Sequence, residues 1–243
     1  MKPGETGLKS LKERVAVVVG NATPATYSVV KALVDSGTCV AMFDIGDAGD
    51  ELSELATISQ SRCMVLSISD DHALHHAVSE VVRRFGGIDL LINMGYSRAR
   101  RGPRAHRGDW LGAMDVNVVG ALMLAHAVCP EIKERGGGSI VNVVSADRTL
   151  SQAGRTSNVA SDVALRHLSR SMAADFERDN IRVNSVSFRS NASDDDTARV
   201  VLFLCADAAR KLSGVDFVID SHNFEVNHEV QSHCNLIQAL VSD

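Results

Sequence analysis

Val15-Ala16-Val17-Val18-Val19-Gly20-Asn21-Ala22-Thr23-Pro24-Ala25-Thr26 decides the fold of this chain. An unbroken apolar run ends at a glycine. A Thr-Pro pair then opens a segment of helical period over 26–36. Threonine caps a helix N-terminus and proline fits its first turn, so the stretch reads as strand, turn and helix. The same alternation continues along the chain. Strands are expected at 15–19, 39–43, 63–66, 90–93, 140–144, 182–186 and 215–219. Helices are expected at 26–36, 71–85, 108–135, 158–178 and 195–206.

Most of these strands are apolar on both faces, as in a parallel sheet covered by helices on each side. Crossover helices between parallel strands give right-handed βαβ units. The expected fold class is therefore α/β: a doubly wound, Rossmann-type parallel seven-stranded sheet in a single domain, residues 1–220. Residues 221–243 are expected to form a C-terminal extension that packs on the domain or on a neighbouring subunit.

Composition narrows the function classes. The 243 residues are 45% apolar, enough for one sizeable core. A net charge of −5 argues against general binding to nucleic acid or an anionic membrane. No uninterrupted apolar run reaches the length of a membrane span, and Met1-Lys-Pro-Gly-Glu5 lacks the apolar core of a signal peptide. Cys39, Cys63, Cys129, Cys205 and Cys234 are odd in number and scattered. They fit a reducing cytoplasm with buried thiols better than a disulfide framework.

Two helices are apolar around most of their circumference. Trp110, Leu111, Met114, Val116, Val119 and Met123 leave little polar face on the first; Val163, Leu165, Leu168 and Met172 do the same on the second. A helix of this kind needs cover on both sides. The sheet supplies one side, and another subunit is the expected cover for the other.

Ser145 ends the strand Ser139-Ile-Val-Asn-Val-Val-Ser145. Asn158 follows thirteen residues on (145 to 158) and Asp162 four beyond (158 to 162), while Asn117 lies on the apolar helix before them. From about Leu11 to Asp220 the chain resembles the short-chain dehydrogenase/reductase family, in which this spacing carries Ser, Tyr and Lys. The resemblance implies that Tyr moves the alcohol proton, Lys lowers the pKa of that Tyr and holds the nicotinamide ribose, Ser orients the substrate oxygen, and Asn supports a relay water. Asn117 and Ser145 match their family positions. Asn158 does not: an amide has no useful titration and cannot act as a general acid. Asp162 reverses the charge at the lysine position. Two unit charges about 4 Å apart interact by roughly 4 kcal/mol at an effective dielectric near 20, so the reversal converts help for an oxyanion into a penalty of similar size. No catalytic residue is expected to be intact; Asn117 and Ser145 read as remnants.

The cofactor positions are altered in the same direction. The family carries glycines at positions 20, 24 and 26, and only Gly20 remains. Pro24 has no N–H to donate to a phosphate, and Thr26 adds a side chain where bare backbone approaches the ligand. Asp44 stands where an acid binds the ribose of NAD, and Ser67 where an aspartate contacts adenine. Asn93-Met-Gly-Tyr96 departs from Asn-Asn-Ala-Gly; Ser187-Phe-Arg189 and Asp220-Ser-His222 replace further cofactor-flanking segments. The long segment that closes over substrate is essentially missing between Asn184 and Asp194. Gly20, Asp44 and Asn93 are thus remnants, and no cofactor is expected in this chain.

The resemblance then implies a catalytically inactive subunit. It would pair with and stabilise an intact NAD-dependent short-chain alcohol dehydrogenase, with NAD in the partner, as a heterotetramer acting on the alcohol of a CoA ester. One alternative is a repurposed lyase, isomerase or cyclase using Asp162 as base and Ser145 or Tyr96 as donor. The other is a residual NAD-dependent oxidoreductase with Tyr96 as substitute acid. Arg98, Arg100, Arg101, Arg104, Arg107 and His106 crowd one loop and suit either solvent or an anionic ligand. His72, His75 and His76, like His222, His228, His233 and Cys234 in the tail, lack a ligand pattern, so no metal is expected. The apolar run over 226–240 is read as a short helix packing on a neighbour.

Overall fold

A computed structural model describes residues 11–21, 23–45, 62–95, 106–145, 156–188, 193–219 and 224–226. Eight strands form one sheet: β1 (Val15–Gly20), β2 (Cys39–Asp44), β3 (Cys63–Ser67), β4 (Leu90–Met94), β5 (Gly138–Ser145), β6 (Ile181–Phe188), β7 (Asp216–Ile219) and β8 (Phe224–Val226). Their order across the sheet is β3-β2-β1-β4-β5-β6-β7-β8. The first seven are parallel, as the two-sided apolar pattern predicts. The eighth pairs antiparallel with β7, from Phe217 opposite Val226 to Ile219 opposite Phe224. The apolar tail run was read as a helix; its first residue, Val226, ends this strand, and the rest lies outside the described residues.

Among the described residues the α-helices are α1 (Pro24–Asp35), α2 (Asp71–Phe85), α3 (Arg107–Met114), α4 (Gly120–Glu134), α5 (Thr156–Asp175) and α6 (Asp194–Cys205). Alternate residues of each central strand enter two separate cores. Ala16, Val18, Met42 and Ile92 pack against Val29, Val30 and Leu33 of α1 and Val201 and Leu204 of α6. Val15, Val17, Phe43 and Leu91 pack against Val81 of α2, Val128 and Ile132 of α4 and Met172 of α5. Both faces of the sheet are therefore dry, which is what doubly wound means in physical terms.

Local chemistry sets the helix starts. Thr23 caps α1, accepting from the Thr26 amide, with Pro24 in the first turn. Asp70 caps α2 and accepts from the Ala73 amide at 2.8 Å; Gly86 ends that helix with a left-handed φ of 84°. Ser193 and Asp196 form a capping box on α6.

The helix expected over 108–135 is not uniform. Asp115–Val119 forms a π-helical turn between α3 and α4. Such turns carry one residue too many for α-helical spacing and re-aim the side chains they hold. Nor is this helix covered all round: Leu111, Val116, Val119 and Met123 stay exposed, as does Val163 on α5. The whole stretch Arg107–Glu134 is long and apolar enough, by length and composition, to cross a membrane. In this fold it lies along the sheet, burying Leu124, Ala125, Val128 and Ile132.

Candidate functional site

Strand register assembles the carboxyl-terminal edge of the sheet. Gly20 lies opposite both Asp44 and Met94, and Asp44 opposite Ser67, so four of the residues read as cofactor positions or their replacements stand in one row. In open α/β sheets ligands bind at this edge, between the strands where the connections change direction; here those are β1 and β4.

The β1–α1 turn offers an anion fewer amides than the family's glycine turn. Pro24 has none. Thr26 gives its amide to the Thr23 hydroxyl at 3.2 Å, and Tyr27 gives its amide to the Thr23 carbonyl at 2.9 Å. Thr26 is buried, its hydroxyl 2.9 Å from that of Thr23. The helix start is thus partly closed on itself by Thr23, which takes up part of its capacity to bind phosphate. Gly20 is retained for a different reason: a Cβ there would lie 2.9 Å from the backbone carbonyl of Met94. Close approach of β1 to β4 requires glycine with or without a ligand.

Asp44 is buried at the end of β2, and Ser67 is exposed. Asn93 is also buried. Its side-chain oxygen accepts from the Gly95 amide at 3.0 Å and its amide donates to the Asn142 oxygen at 3.3 Å. Asn142 in turn donates to the Ser169 hydroxyl at 2.8 Å, which donates to the Leu165 carbonyl. This chain of bonds ties β4 and β5 to α5. Asn142 and Ser169 were missed in sequence; the usable signal was a lone asparagine inside the apolar run Ile140–Val144.

Asn117 sits in the π-helical turn, buried, and donates to the Ser161 hydroxyl at 2.8 Å; Ser161 donates to the Asn158 carbonyl at 2.9 Å. The turn is thereby latched to α5 beside Asn158 and Asp162. Those two lie one helical turn apart and only 2% and 1% exposed, so both face inward. Ser145 ends β5 opposite Phe188. Ser161 is the third residue that sequence reasoning missed, after Asn142 and Ser169. β6 ends at Phe188 and α6 begins at Asp194, which leaves no length for a closing segment between them.

A groove of about 430 Å³ opens beside these residues, between α2 and the π-helical turn with α4. Ile45, Ile68, Leu74, Val119 and Met123 line it with Asn93 and Gly95, and Asp70, Asp71 and Asp115 rim it. Asn158 and Asp162 are not among its lining residues. Burial pushes both Cys129 and Cys205 up to about 12, far from a thiolate at neutral pH. Tyr96, Arg98, Arg100, Arg101, Arg104, Arg189, Asp220 and the tail histidines fall outside the described residues. His72, His75 and His76 are exposed on α2.

Known proteins agree with this architecture. The family model described as Enoyl-(Acyl carrier protein) reductase matches residues 25–190. The chain is 28% identical to the 3alpha-hydroxysteroid dehydrogenase of Mediterraneibacter gnavus over 183 residues, 73% of each chain. It is 29% identical to the xanthoxin dehydrogenase of Arabidopsis thaliana, covering 88% of this chain and 92% of that one. A short-chain dehydrogenase/reductase crystal structure from Burkholderia xenovorans superposes with a TM-score of 0.79 at 23% identity, covering 88% of this chain and 97% of that one, which speaks to the fold. The chain belongs to the short-chain dehydrogenase/reductase family.

Proposed function

We propose that this family member is a non-catalytic subunit that pairs with an intact NAD-dependent short-chain alcohol dehydrogenase. The observation that carries the proposal is the inward-facing pair Asn158 and Asp162 on α5. An amide and a carboxylate occupy the positions where the family resemblance places a phenol and its ammonium helper. Hydride transfer to or from an alcohol needs a proton acceptor or donor at the oxygen. The partly closed β1–α1 turn supports the same reading from the cofactor side. The relatives named above are dehydrogenases, so inactivity is a departure within the family.

The exposed apolar residues Leu111 and Val163, 54% and 41% accessible, lie on the two helices expected to meet a partner. Among hetero-oligomers of this kind, the pattern is similar to the non-catalytic subunit of the 2-[hydroxy(phenyl)methyl]succinyl-CoA dehydrogenase of anaerobic toluene degradation. NAD and the CoA-ester alcohol would then be held by the catalytic partner. The repurposed-enzyme alternative requires a cavity at Asp162.

Two measurements test the proposal. Titration of the purified chain with NADH should show no saturation below roughly 1 mM, the weak end of the affinity scale. Co-expression with an intact short-chain dehydrogenase encoded beside it should give a stable mixed oligomer, with turnover confined to the mixture. Micromolar NADH binding with hydride exchange by the single chain overturns the proposal, as does a fully monomeric chain that ignores every such relative.

A further inference from the structure

We infer that the outward face of α5 receives an acidic side chain of the partner subunit, and that this contact selects a mixed oligomer over pairs of this chain. The inference rests on the pairing proposed above and adds the chemistry of the partner's surface. Val163, Arg166, His167 and Arg170 follow one another at helical spacing and share one face of α5. The opposite face buries Asn158, Asp162, Leu165, Ser169 and Met172. Val163 and His167 are exposed, and Arg166 and Arg170 are half-buried. Together with Asp216 of β7 these four line a pocket of about 120 Å³. Small-molecule sites begin at about 300 Å³, so this one suits the end of a single side chain better than a free metabolite.

Charge sets the occupant. Asp216 is buried at the pocket floor and is satisfied from within the chain: it accepts from the hydroxyls of Ser185 at 2.7 Å and Ser187 at 3.0 Å and from Arg166 at 3.3 Å. That last bond fixes the Arg166 guanidinium at the pocket wall with N–H donors to spare. Arg170 stands one helical turn further on and repels Arg166. Among the described residues neither Arg170 nor His167 has a side-chain hydrogen bond or ion pair. Two guanidinium groups around one internally satisfied carboxylate leave an excess of positive charge. Planar guanidinium forks match a carboxylate, and an arginine already held in place loses little freedom when it meets one. A second copy of this chain docked on the same patch makes an isologous contact and brings arginine onto arginine. A partner carrying an acid there reverses the sign, with Val163 as an apolar margin that keeps water out.

One test needs only this chain. The double variant His167→Glu with Arg170→Glu carries the acidic face that the inference requires of a partner. Sedimentation of wild type, variant and their equimolar mixture should show the mixed pair at least about tenfold tighter than either self-pair, with the preference shrinking as salt rises. The second test uses the mixed oligomer co-expressed with the dehydrogenase encoded beside this chain. The same two substitutions should weaken its assembly about tenfold or more, while the Tm of the single chain moves by no more than about 2 °C. Changing acids on the partner's facing helix to lysine, one at a time, should find one that restores assembly with the variant. Self-pairs of the wild type as tight as the mixed pair overturn the inference. So does a single-chain Tm that falls as far as assembly does, which would mean that the patch is satisfied within this chain. A mixed oligomer that ignores the charge at 167 and 170 removes this inference and leaves the pairing standing. A chain that prefers its acidic variant but joins no dehydrogenase keeps the acid-binding face and removes the pairing.

Discussion

The two edges of the sheet have been held to different standards. At the amino-terminal edge the packing leaves no slack. Asp89 precedes β4, and its carboxylate accepts from the Val15 amide at 2.8 Å and from Arg135 at 3.2 Å. Its carbonyl takes the Ser139 amide. Gly138 approaches it so closely that a Cβ would lie 2.0 Å from the Asp89 carbonyl oxygen. Asn180, in a left-handed conformation at φ 58°, donates to the Gly136 carbonyl at 2.9 Å. At the carboxyl-terminal edge the backbone is as regular, but several side chains differ from the family pattern. Thr26, Asn158 and Asp162 are all buried and all departures from the family pattern. Under the proposed function, the contrast teaches that reactive side chains can change at one edge of a sheet while tight backbone contacts hold the other. Both edges carry contacts that the fold uses, Gly20 against Met94 and Asn93 with Asn142 among them, whereas the positions tied to the reaction lie at the carboxyl edge.

The sharpest way to break this contrast is Gly138→Ala. The new methyl cannot be accommodated without separating β4 from β5, so a loss of about 3 kcal/mol or more is expected in chemical denaturation. A loss under about 1 kcal/mol would show that the amino edge has slack after all. Asp89→Ala comes next. It leaves the buried Val15 amide without an acceptor and should cost about 2–3 kcal/mol. Because Arg135 is partly exposed, little of that loss comes from the ion pair, and 0.5 M salt should leave the difference between wild type and variant nearly unchanged.

The legible part of the sequence matches the same division. Strands were visible because both faces are apolar, and α1 because Thr23-Pro24 states its own start. The row of Gly20, Asp44 and Asn93 was visible by position. What those residues do was not: Gly20 is held by the proximity of Met94, and Asn93 by Asn142, a partner 49 residues away in the chain. The π-helical turn left no mark either. It contains no proline, and the side-chain bond from Asn117 that latches it to Ser161 on another helix is encoded by no local pattern. The groove was equally hidden, since Leu74 and Met123 meet only when α2 and α4 are laid side by side.

The carboxyl edge can be probed by reversing its exchange. Thr26→Gly with Pro24→Gly restores the family's glycine turn. It also removes a buried methyl, a proline suited to the helix start and some helix propensity, so it should cost about 2 kcal/mol. NADH affinity should stay weaker than roughly 1 mM, because the acids at the groove mouth and Asp162 remain. Micromolar NADH binding by this variant would mean that the turn alone had closed the site.

The smallest effect concerns two thiols packed in the helices of either face. Burial raises Cys205, at the end of α6, to about 12; burial, with a smaller contribution from Asp179, does the same for Cys129 on α4. In the unfolded chain both sit at the ordinary 9.0. Between pH 9 and 12 the folded chain therefore keeps protons that the unfolded chain releases, and stability present below pH 9 is lost as pH rises. At pH 9.5 this amounts to roughly 1 kcal/mol for each thiol. Cys129→Ala with Cys205→Ala should flatten the fall in Tm between pH 8 and 10 relative to wild type, after allowing for a lower Tm throughout from the lost packing. Parallel curves would show that these thiols do not govern alkaline unfolding, and that the two faces of the core open to water before they titrate.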